Sequence, residues 1–574
     1  MLANKIRDEA RKFALKNAQD YGKADPGAVL SKVLAAEPRL RQSIKELSLL
    51  VNEVVQEVNK MSEAQVQKEF DTHAKEFEKR ERETQERNAN PKMELDGAVA
   101  GKFATRFPPE PNGYLQLGHA KIAWLEREFA DKYKGTVALY FDDTNPENEK
   151  QEFVEEIKKD LEWLGIKFER EYYASDHMGK IYEYAGKLTE HGDAYVCMCD
   201  SEKMKKMRFA GEECEHRKQS KAENVKLLRK MLDRGFKDGE AALRLKLDMK
   251  AENTTMRDPV ILRIITHEHY RQGKKYAAWP TYDFNTPIVD SLEGITDAIR
   301  SKEYELRDEL DMKILDLLGL RKPRIRSIAR LEVKDNITSK RKTNALIEEG
   351  KLSGYDDPRL VTIAALRRRG VQPQAIKKFV LRFGMSKTNS EVSIDMLLAE
   401  NRQVIDGIAR RLFLVQEPTE VRIGGMPKER KAVKLNLHPT NEMGQRESSV
   451  SDALLISGSD AKTLKPGSVF RLKDLFNVKV EKAGKKEIEA KFLGNESVDA
   501  PKFQWVDSKR KVRCELVMVG PLLVGEKFND KSLIKMEAYA EEFVNSLEKD
   551  EIVQFERVGF YKLDDVKQKT FIAL

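Results

Sequence analysis

The spacing of apolar positions changes character several times along the chain. In the first stretch Ile44, Leu47, Val51, Val54, Val55 and Val58 recur every three or four residues, the period of one buried helix face. Asp25-Pro26-Gly27 marks a turn before an earlier short helix. Segment 76–90 (EFEKRERETQERNAN) is almost wholly polar and reads as an exposed helix end or linker. From about residue 98 strands alternate with helices. Lys102 to Phe107 predicts a short strand, followed by a helix from about Gly118 to Lys134 with Ala123, Trp124, Phe129 and Ala130 facing inwards. Val137 to Phe141 predicts a second strand, followed by a Glu- and Lys-rich helix ending at Leu164. Strand, helix, strand with polar residues at the strand ends predicts a parallel sheet with its ligands at that edge. An insertion of about 194–278 interrupts the sheet, which resumes at Tyr276 to Phe284. From Leu346 to about Arg411 the period is helical again. Past Pro418, short alternating runs such as Ala432 to Leu437 and Val512 to Val519, separated by Gly and Pro-Gly turns, predict β-barrels.

Bulk composition narrows the class. A chain of 574 residues holds several domains with sizeable cores. Charged residues reach 35%, yet the formal balance is only +8, so a polyanion would have to be met by locally concentrated cations. No apolar run has membrane-spanning length, because the longest, around Leu516 to Val524, is broken by Gly520 and Pro521. The opening residues lack the apolar core of a signal peptide, and four cysteines in so long a chain argue against a disulfide framework. A cytoplasmic, multidomain protein is expected.

Three clusters carry chemistry. In the first, RFPPEPNGYLQLGHA (Arg106 to Ala120), a Pro-rich turn leads from the strand into the helix, and Gly118 beside His119 at the helix start suits a phosphate-bearing ligand. In the second, Ile337 to Lys342 (ITSKRK) sets three cations and two hydroxyls on one short segment, enough to close over a polyphosphate. The third is Cys197-Met198-Cys199 followed by Cys214-Glu215-His216, whose thiols and imidazole suit tetrahedral zinc. Cys514 stands alone in an apolar strand and reads as core packing. His267, His269 and Tyr270 have no metal-like context and are read as packing or backbone contacts.

Together the first two clusters resemble the HIGH and KMSKS boxes of class I aminoacyl-tRNA synthetases. The HIGH positions are Gln116, Leu117, Gly118 and His119, so Gln replaces the first His, and the retained KMSKS pair is Ser339-Lys340. The flanks FPPEPNGYL and GYDDPRLVTIAALRRRG narrow the likeness to the glutamyl/glutaminyl subgroup, over about residues 100–574. The resemblance implies a Rossmann-type catalytic domain in two halves, 96–193 and 279–344, around an inserted acceptor-binding domain, 194–278, which carries the zinc knuckle and basic runs at Lys203 to Arg208 and Arg217 to Arg234. It further implies an appended helical domain, 1–95, a helical connecting domain, 345–417, and a β-barrel anticodon-binding domain, 418–574. The fold class is therefore multidomain α/β plus β.

The resemblance implies that Arg106, Asp142, Tyr282 and Arg300 hold the amino acid, with Asp142 pairing with its amino group. Asp142 and Asp143 have a plainer reading as helix caps, which one of them should satisfy. Gln116, Gly118, His119 and Lys340 meet ATP, with His119, Ser339 and Lys340 catalytic. A γ-carboxylate needs a cation with directional donors. Arg300 and the apolar Ile325 match the glutamyl branch, whereas glutaminyl enzymes carry small or polar residues at those positions. The reaction implied is ATP-dependent activation of L-glutamate, with Mg²⁺ on the phosphates and structural Zn²⁺, followed by transfer to tRNA-Glu. Whether tRNA-Gln is also charged stays open, and a monomer with no membrane partner is expected. Two rivals remain: a glutaminyl enzyme, and a tRNA-binding paralogue without catalysis. The basic turn Arg367-Arg368-Arg369 before Gly370 is read equally as a tRNA contact or as balance for the helix dipole.

Overall fold

The computed structural model describes residues 2–36, 44–74, 77, 93–427, 432–484 and 486–574, which form two compact units, Met1–Lys92 and Met93–Leu574. The first unit is helical: α1 (Leu2–Tyr21), α2 (Pro26–Ala36), α3 (Ile44–Val58) and α4 (Glu63–Asp71). Pro26 opens α2, where its missing N–H is no loss, and Ser62 caps α4 in a reciprocal box with Gln65. The apolar stripe Leu47, Val51, Val54, Val55 and Val58 packs on Ala10, Ala14 and Leu15. The polar segment 76–90 lies outside the described residues, Phe77 apart.

The second unit begins with β1 (Ala104–Phe107), α5 (Leu117–Lys132), β2 (Thr136–Phe141), α6 (Gln151–Leu164) and β3 (Arg170–Tyr173). The three strands are parallel in the order β1-β2-β3. Val137 to Phe141 is buried throughout, as expected of a parallel strand covered on both faces. The tight return from α5 to β2 requires Gly135, whose Cβ would sit 2.2 Å from the Phe103 carbonyl oxygen.

The chain then leaves this sheet through α7 (Met178–His191), β4 (Ala194–Cys197), α8 (Ser201–Ala210), α9 (Lys221–Leu232), β5 (Ala242–Leu245), β6 (Val260–Ile264) and β7 (Ala278–Pro280), and α10 (Tyr282–Leu292) follows. Strands β4 to β7 form their own antiparallel sheet. This corrects the expectation that the parallel sheet resumes at Tyr276 to Phe284. Ala278 to Pro280 closes the inserted sheet against β6, the Thr281 N–H continues that ladder to the Ile261 carbonyl at 3.0 Å, and Tyr282 to Phe284 are already helical. A short apolar run does not declare which sheet it joins.

The parallel layer resumes at β8 (Asp297–Ser301); α11 (Asp308–Leu318) and β9 (Arg324–Ile328) follow, with β8 and β9 paired in parallel. Just before β8, Thr296 meets β1: its N–H donates to the Ala104 carbonyl at 2.8 Å, and its Oγ1 accepts the Ala104 N–H at 2.9 Å. Next come β10 (Leu331–Val333), α12 (Lys340–Glu348), α13 (Ile363–Arg369), α14 (Pro373–Leu381), β11 (Ser390–Val392) and α15 (Ile394–Ile405). The expected helical region to Arg411 is thus interrupted by β11, which pairs with β10. Its end belongs to the next sheet, because Arg410–Leu412 runs parallel to Val553–Phe555.

The described remainder folds into two seven-stranded sheets and two two-stranded ribbons, Ala432–Asn436 with Gln445–Ser449 and Leu523–Val524 with Lys527–Phe528. One sheet is built mainly on Thr419–Gly424, Ala453–Ile456, Val469–Leu472, Asn477–Ala483 and Glu487–Gly494, around a core containing Phe470, Phe476 and Trp505. The other joins Arg410–Leu412 and Leu414–Gln416 to Val512–Val519, Leu533–Ala540 and the three C-terminal strands. Cys514 is buried in its core, as read from the sequence.

The Arg367–Arg369 turn ends α13 and makes protein contacts that the sequence did not anticipate. Arg367 pairs with Asp160 at 3.2 Å and covers Trp163, Arg368 pairs with Asp564 at 2.8 Å, and Arg369 donates to the Ala573 carbonyl at 3.3 Å. The dipole is met by Lys562, whose Nζ donates to the Arg367 carbonyl at 2.8 Å.

Candidate active site

The Pro-rich turn after β1 is laid across the ends of the parallel strands by backbone bonds. The Asp142 N–H donates to the Pro109 carbonyl at 3.2 Å, and the Lys150 N–H to the Pro111 carbonyl at 3.1 Å. The chain next runs beside the segment before α13: the Leu117 N–H donates to the Val361 carbonyl at 3.1 Å, and the Ile363 N–H to the Leu115 carbonyl at 2.8 Å. Gln116 is therefore held in extended conformation at the start of α5. Its backbone N–H donates to His119 Nδ1 at 3.0 Å. An accepting Nδ1 leaves the ring proton on Nε2. Protein encloses His119 at longer range while its ring stays open to the water of the cavity; burial and then the Arg330 charge hold its pKa below the usual range, so the neutral imidazole is the donor form.

The Gln116 side chain joins the two motif segments directly, its Nε2 donating to the Thr338 carbonyl at 2.9 Å. The next helix, α12, begins at Lys340. Lys340 lies over the Phe153 ring, with Nζ 4.9 Å from the centroid, and its stem passes Gly113, whose added Cβ would be 3.5 Å from Lys340 Cδ. Burial lowers the Lys340 pKa, and Glu110 opposes the shift. Ser339 is exposed at the cap position of α12, and its carbonyl accepts Thr343 Oγ1 at 3.1 Å.

These groups surround a cavity of about 460 Å³ whose wall includes Gln116, Gly118, His119, Lys340, Tyr282 and Arg300. Such a volume suits a small ligand of mixed polarity. At one end Tyr282 leans on Tyr304, with ring centroids 4.8 Å apart. Arg300 is 6% exposed; its Nη1 donates to Asp311 Oδ2 at 2.7 Å and its Nη2 to Asp308. Burial pushes the Asp311 carboxyl up to about 7, against the attraction of Arg300.

Three of the expected residues lie outside the cavity wall: Arg106, Asp142 and Ser339. Arg106 is fully buried beneath it, its Nε 2.7 Å from Asp290 and its Nη1 3.1 Å from the Ile299 carbonyl. Asp142 Oδ1 accepts Asn285 Nδ2 at 2.8 Å, and burial, then the charges of Glu110 and Asp143, raise its pKa to about 7. Neither Asp142 nor Asp143 caps the following helix, whose cap position is Lys150. Asp143 instead accepts the Ser175 N–H at 2.7 Å and the hydroxyls of Ser175 and Tyr270 at 2.8 and 3.1 Å. His269 packs as read, its ring stacked 4.7 Å from Trp279, and its Nε2 lies 3.1 Å from the Asp143 carbonyl. Ile325 pairs with Ala298 across β8 and β9, outside the cavity wall.

Sequence reading passed over Lys121, Tyr304, Arg330, Asp308 and Asp311. Lys121 lines the cavity, its Nζ donates to the Ala329 carbonyl at 2.9 Å, and burial lowers its pKa to about 8. Nothing in the sequence separates it from any other helical lysine.

The inserted sheet holds the second cluster. Cys197 ends β4, Cys199 follows, and Cys214 and His216 begin a short turn; the four ligand atoms all lie within 4.8 Å of one another. Cys197 and Cys214 sulfurs are 3.8 Å apart, and Cys199 Sγ is 3.5 Å from His216 Nδ1. A tetrahedral ion with zinc–sulfur bonds of about 2.3 Å and zinc–nitrogen bonds of about 2.0 Å needs edges close to these. The donor set fits a structural zinc ion.

Comparison with known proteins covers nearly the whole chain. Residues 102–407 match the family described as tRNA synthetases class I (E and Q), catalytic domain, and residues 409–493 and 502–564 match its two anti-codon binding domains. A protein of Nitrosopumilus maritimus named glutamate–tRNA ligase is 41% identical over 568 residues, 99% of each chain. Ligases of the same name from Cenarchaeum symbiosum, 38% identical over 99% of each chain, and Pyrococcus abyssi, 39% identical over 98% of each, match comparably. No described helix is long and apolar enough to cross a membrane.

Proposed function

The chain belongs to the class I tRNA synthetases for E and Q, and from that premise we propose that it activates L-glutamate with ATP and transfers it to tRNA-Glu in the cytoplasm. The observation that carries the reading is the single cavity in which a neutral His119, Lys340, Tyr282 and Arg300 converge, combined with full-length likeness to glutamate–tRNA ligases.

In the first step the α-carboxylate of glutamate attacks the α-phosphorus of ATP, forming glutamyl-adenylate and releasing pyrophosphate. Most of the acceleration in such a step comes from positioning and from donors aimed at developing charge. His119 Nε2–H and the Gly118 N–H at the start of α5 meet the phosphates. Lys340 neutralises the charge that grows on departing pyrophosphate, Ser339 assists, and the magnesium carried with ATP supplies Lewis acidity. Gln116 holds the Thr338 carbonyl and so ties the ITSKRK segment to the start of α5. Arg300 takes the γ-carboxylate and Tyr282 packs on the substrate. Asp142 receives its amino group, and Arg106, its charge balanced by Asp290, holds the Ile299 carbonyl and so supports the cavity wall. In the second step the terminal adenosine hydroxyl of tRNA attacks the adenylate carbonyl and expels AMP. The inserted sheet receives the acceptor end, Cys197, Cys199, Cys214 and His216 hold structural zinc there, and the C-terminal barrels receive the anticodon.

The test is aminoacylation with radiolabelled glutamate and glutamine, each on purified tRNA-Glu and tRNA-Gln, with tRNA present throughout. Glutamate on tRNA-Glu is the expected product, and its appearance on tRNA-Gln as well would define a broader enzyme. Transfer of glutamine in place of glutamate, or no transfer, would overturn the assignment.

A further inference from the structure

Arg244, on β5 of the inserted sheet, is 1% exposed. A buried guanidinium needs an anion or a full set of acceptors, and no carboxylate within ion-pair distance supplies either among the described residues. Nε donates to the Asp258 backbone carbonyl at 2.8 Å. The Asp258 carboxylate is committed elsewhere, accepting the Leu247 N–H at 2.7 Å, the Tyr195 hydroxyl at 2.9 Å and Arg217 Nε at 2.9 Å. Nη2 has no hydrogen-bond partner among the described residues. What remains is the Tyr195 ring, 5.5 Å from Cζ, and sulfur: Nη1 lies 3.7 Å from Cys197 Sγ and 3.8 Å from Cys214 Sγ.

We infer that Arg244 is the counter-charge of the metal knuckle. The inference rests on the reading of Cys197, Cys199, Cys214 and His216 as zinc ligands. Three thiolates and one neutral imidazole around a divalent ion leave one net negative charge, in a place where Cys197, Cys199 and Cys214 are all buried. One guanidinium, held by β5 and by the Asp258 carbonyl, makes the assembly neutral. The dependence runs both ways. Without the thiolates Arg244 is a buried cation with an idle donor, and without Arg244 the metal cluster is a buried anion.

The experiment compares full-length wild type, Arg244→Met and Arg244→Lys after purification without chelator. Bound zinc is counted by plasma emission, and affinity is read by competition with a chromophoric chelator. Wild type should carry one zinc, and Arg244→Met should bind it about 10- to 100-fold more weakly, the range for outer partners of metal ligands. Arg244→Lys keeps the charge and should stay within several-fold of wild type. If Arg244→Met is not recovered folded, the lysine variant decides alone: retained affinity supports the charge role, and a hundred-fold loss overturns it. Equal affinity in wild type and Arg244→Met also overturns it. A wild type free of zinc that takes up none in titration refutes the zinc reading beneath it, a result separable from failure of the arginine.

Discussion

Replacing Arg300 by Gln separates two jobs that the side chain performs, and the two have different signatures. Toward the cavity the guanidinium is the proposed receptor of a carboxylate. Losing a required charged partner commonly removes about 2–4 kcal/mol, roughly 30- to 1,000-fold in kcat/KM for glutamate. Toward the protein it neutralises Asp311, which is buried and already titrates near 7 with Arg300 present. Its removal pushes that pKa higher still. A carboxyl whose folded pKa exceeds its unfolded value loses stability as pH rises from the unfolded to the folded pKa, and the loss is level above that. Wild type and Arg300→Gln should therefore have similar pH dependence below pH 7 and diverge above it, by about 1.4 kcal/mol for every tenfold weakening of the Asp311 acid. The double variant Arg300→Gln/Asp311→Asn should recover the stability and none of the activity. ATP–pyrophosphate exchange in the presence of tRNA, with glutamate and then glutamine, reads the first job; thermal melts at pH 6 and pH 8.5 read the second. Glutamate activation within five-fold of wild type in Arg300→Gln would refute the receptor role. Activity restored by the double variant would show that stability alone was lost.

Lys340→Ala should lower the rate of pyrophosphate exchange about 100- to 1,000-fold with a smaller change in glutamate KM, since its charge acts as pyrophosphate leaves; stopped-flow or single-turnover rates check this. Gln116→Leu removes the bond to the Thr338 carbonyl and should raise the KM for ATP by less than about ten-fold, the worth of one neutral hydrogen bond; an unchanged KM and rate would make that bond incidental. A chain starting at Met93 should keep exchange activity within about three-fold, given the separate cores of the two units; loss of soluble, active protein would show that the second unit depends on the first.

The parts most legible in the sequence were those where local rules and a long motif coincide. The strand, Pro turn and helix around Arg106 to Lys132 stand within two or three residues of expectation, because a fixed turn and a 3.6-residue stripe mark both ends. Cys197, Cys199, Cys214 and His216 meet as their spacing implied. What escaped was decided by distant partners. Ala278 to Pro280 reads as a strand of either sheet until β6 claims it. Arg367 to Arg369 read as a tRNA contact or as balance for the helix dipole, and their protein partners Asp160, Asp564 and Ala573 lie up to some two hundred residues away in sequence. Asp308 and Asp311 carry no pattern of their own; only the fold brings them to Arg300. The same is true of Arg244, which is one alternating position of a short strand until its neighbours are known.

The contacts around α13 have a practical consequence for anyone handling the molecule. A chain terminus is ordinarily the safest place to add or trim residues. Here Leu574 packs against Gly370, where even a Cβ would come within 2.9 Å of its side chain. Ala573 and Lys562 hold the last turn of α13, and the residues at and just before the start of that helix are bonded to Leu115 and Leu117 in the wall of the cavity. A helix of seven residues spans only about 10 Å. A fusion after Leu574, or a deletion of the strand Thr570–Ala573, therefore acts one short helix away from that cavity, and purification handles belong elsewhere.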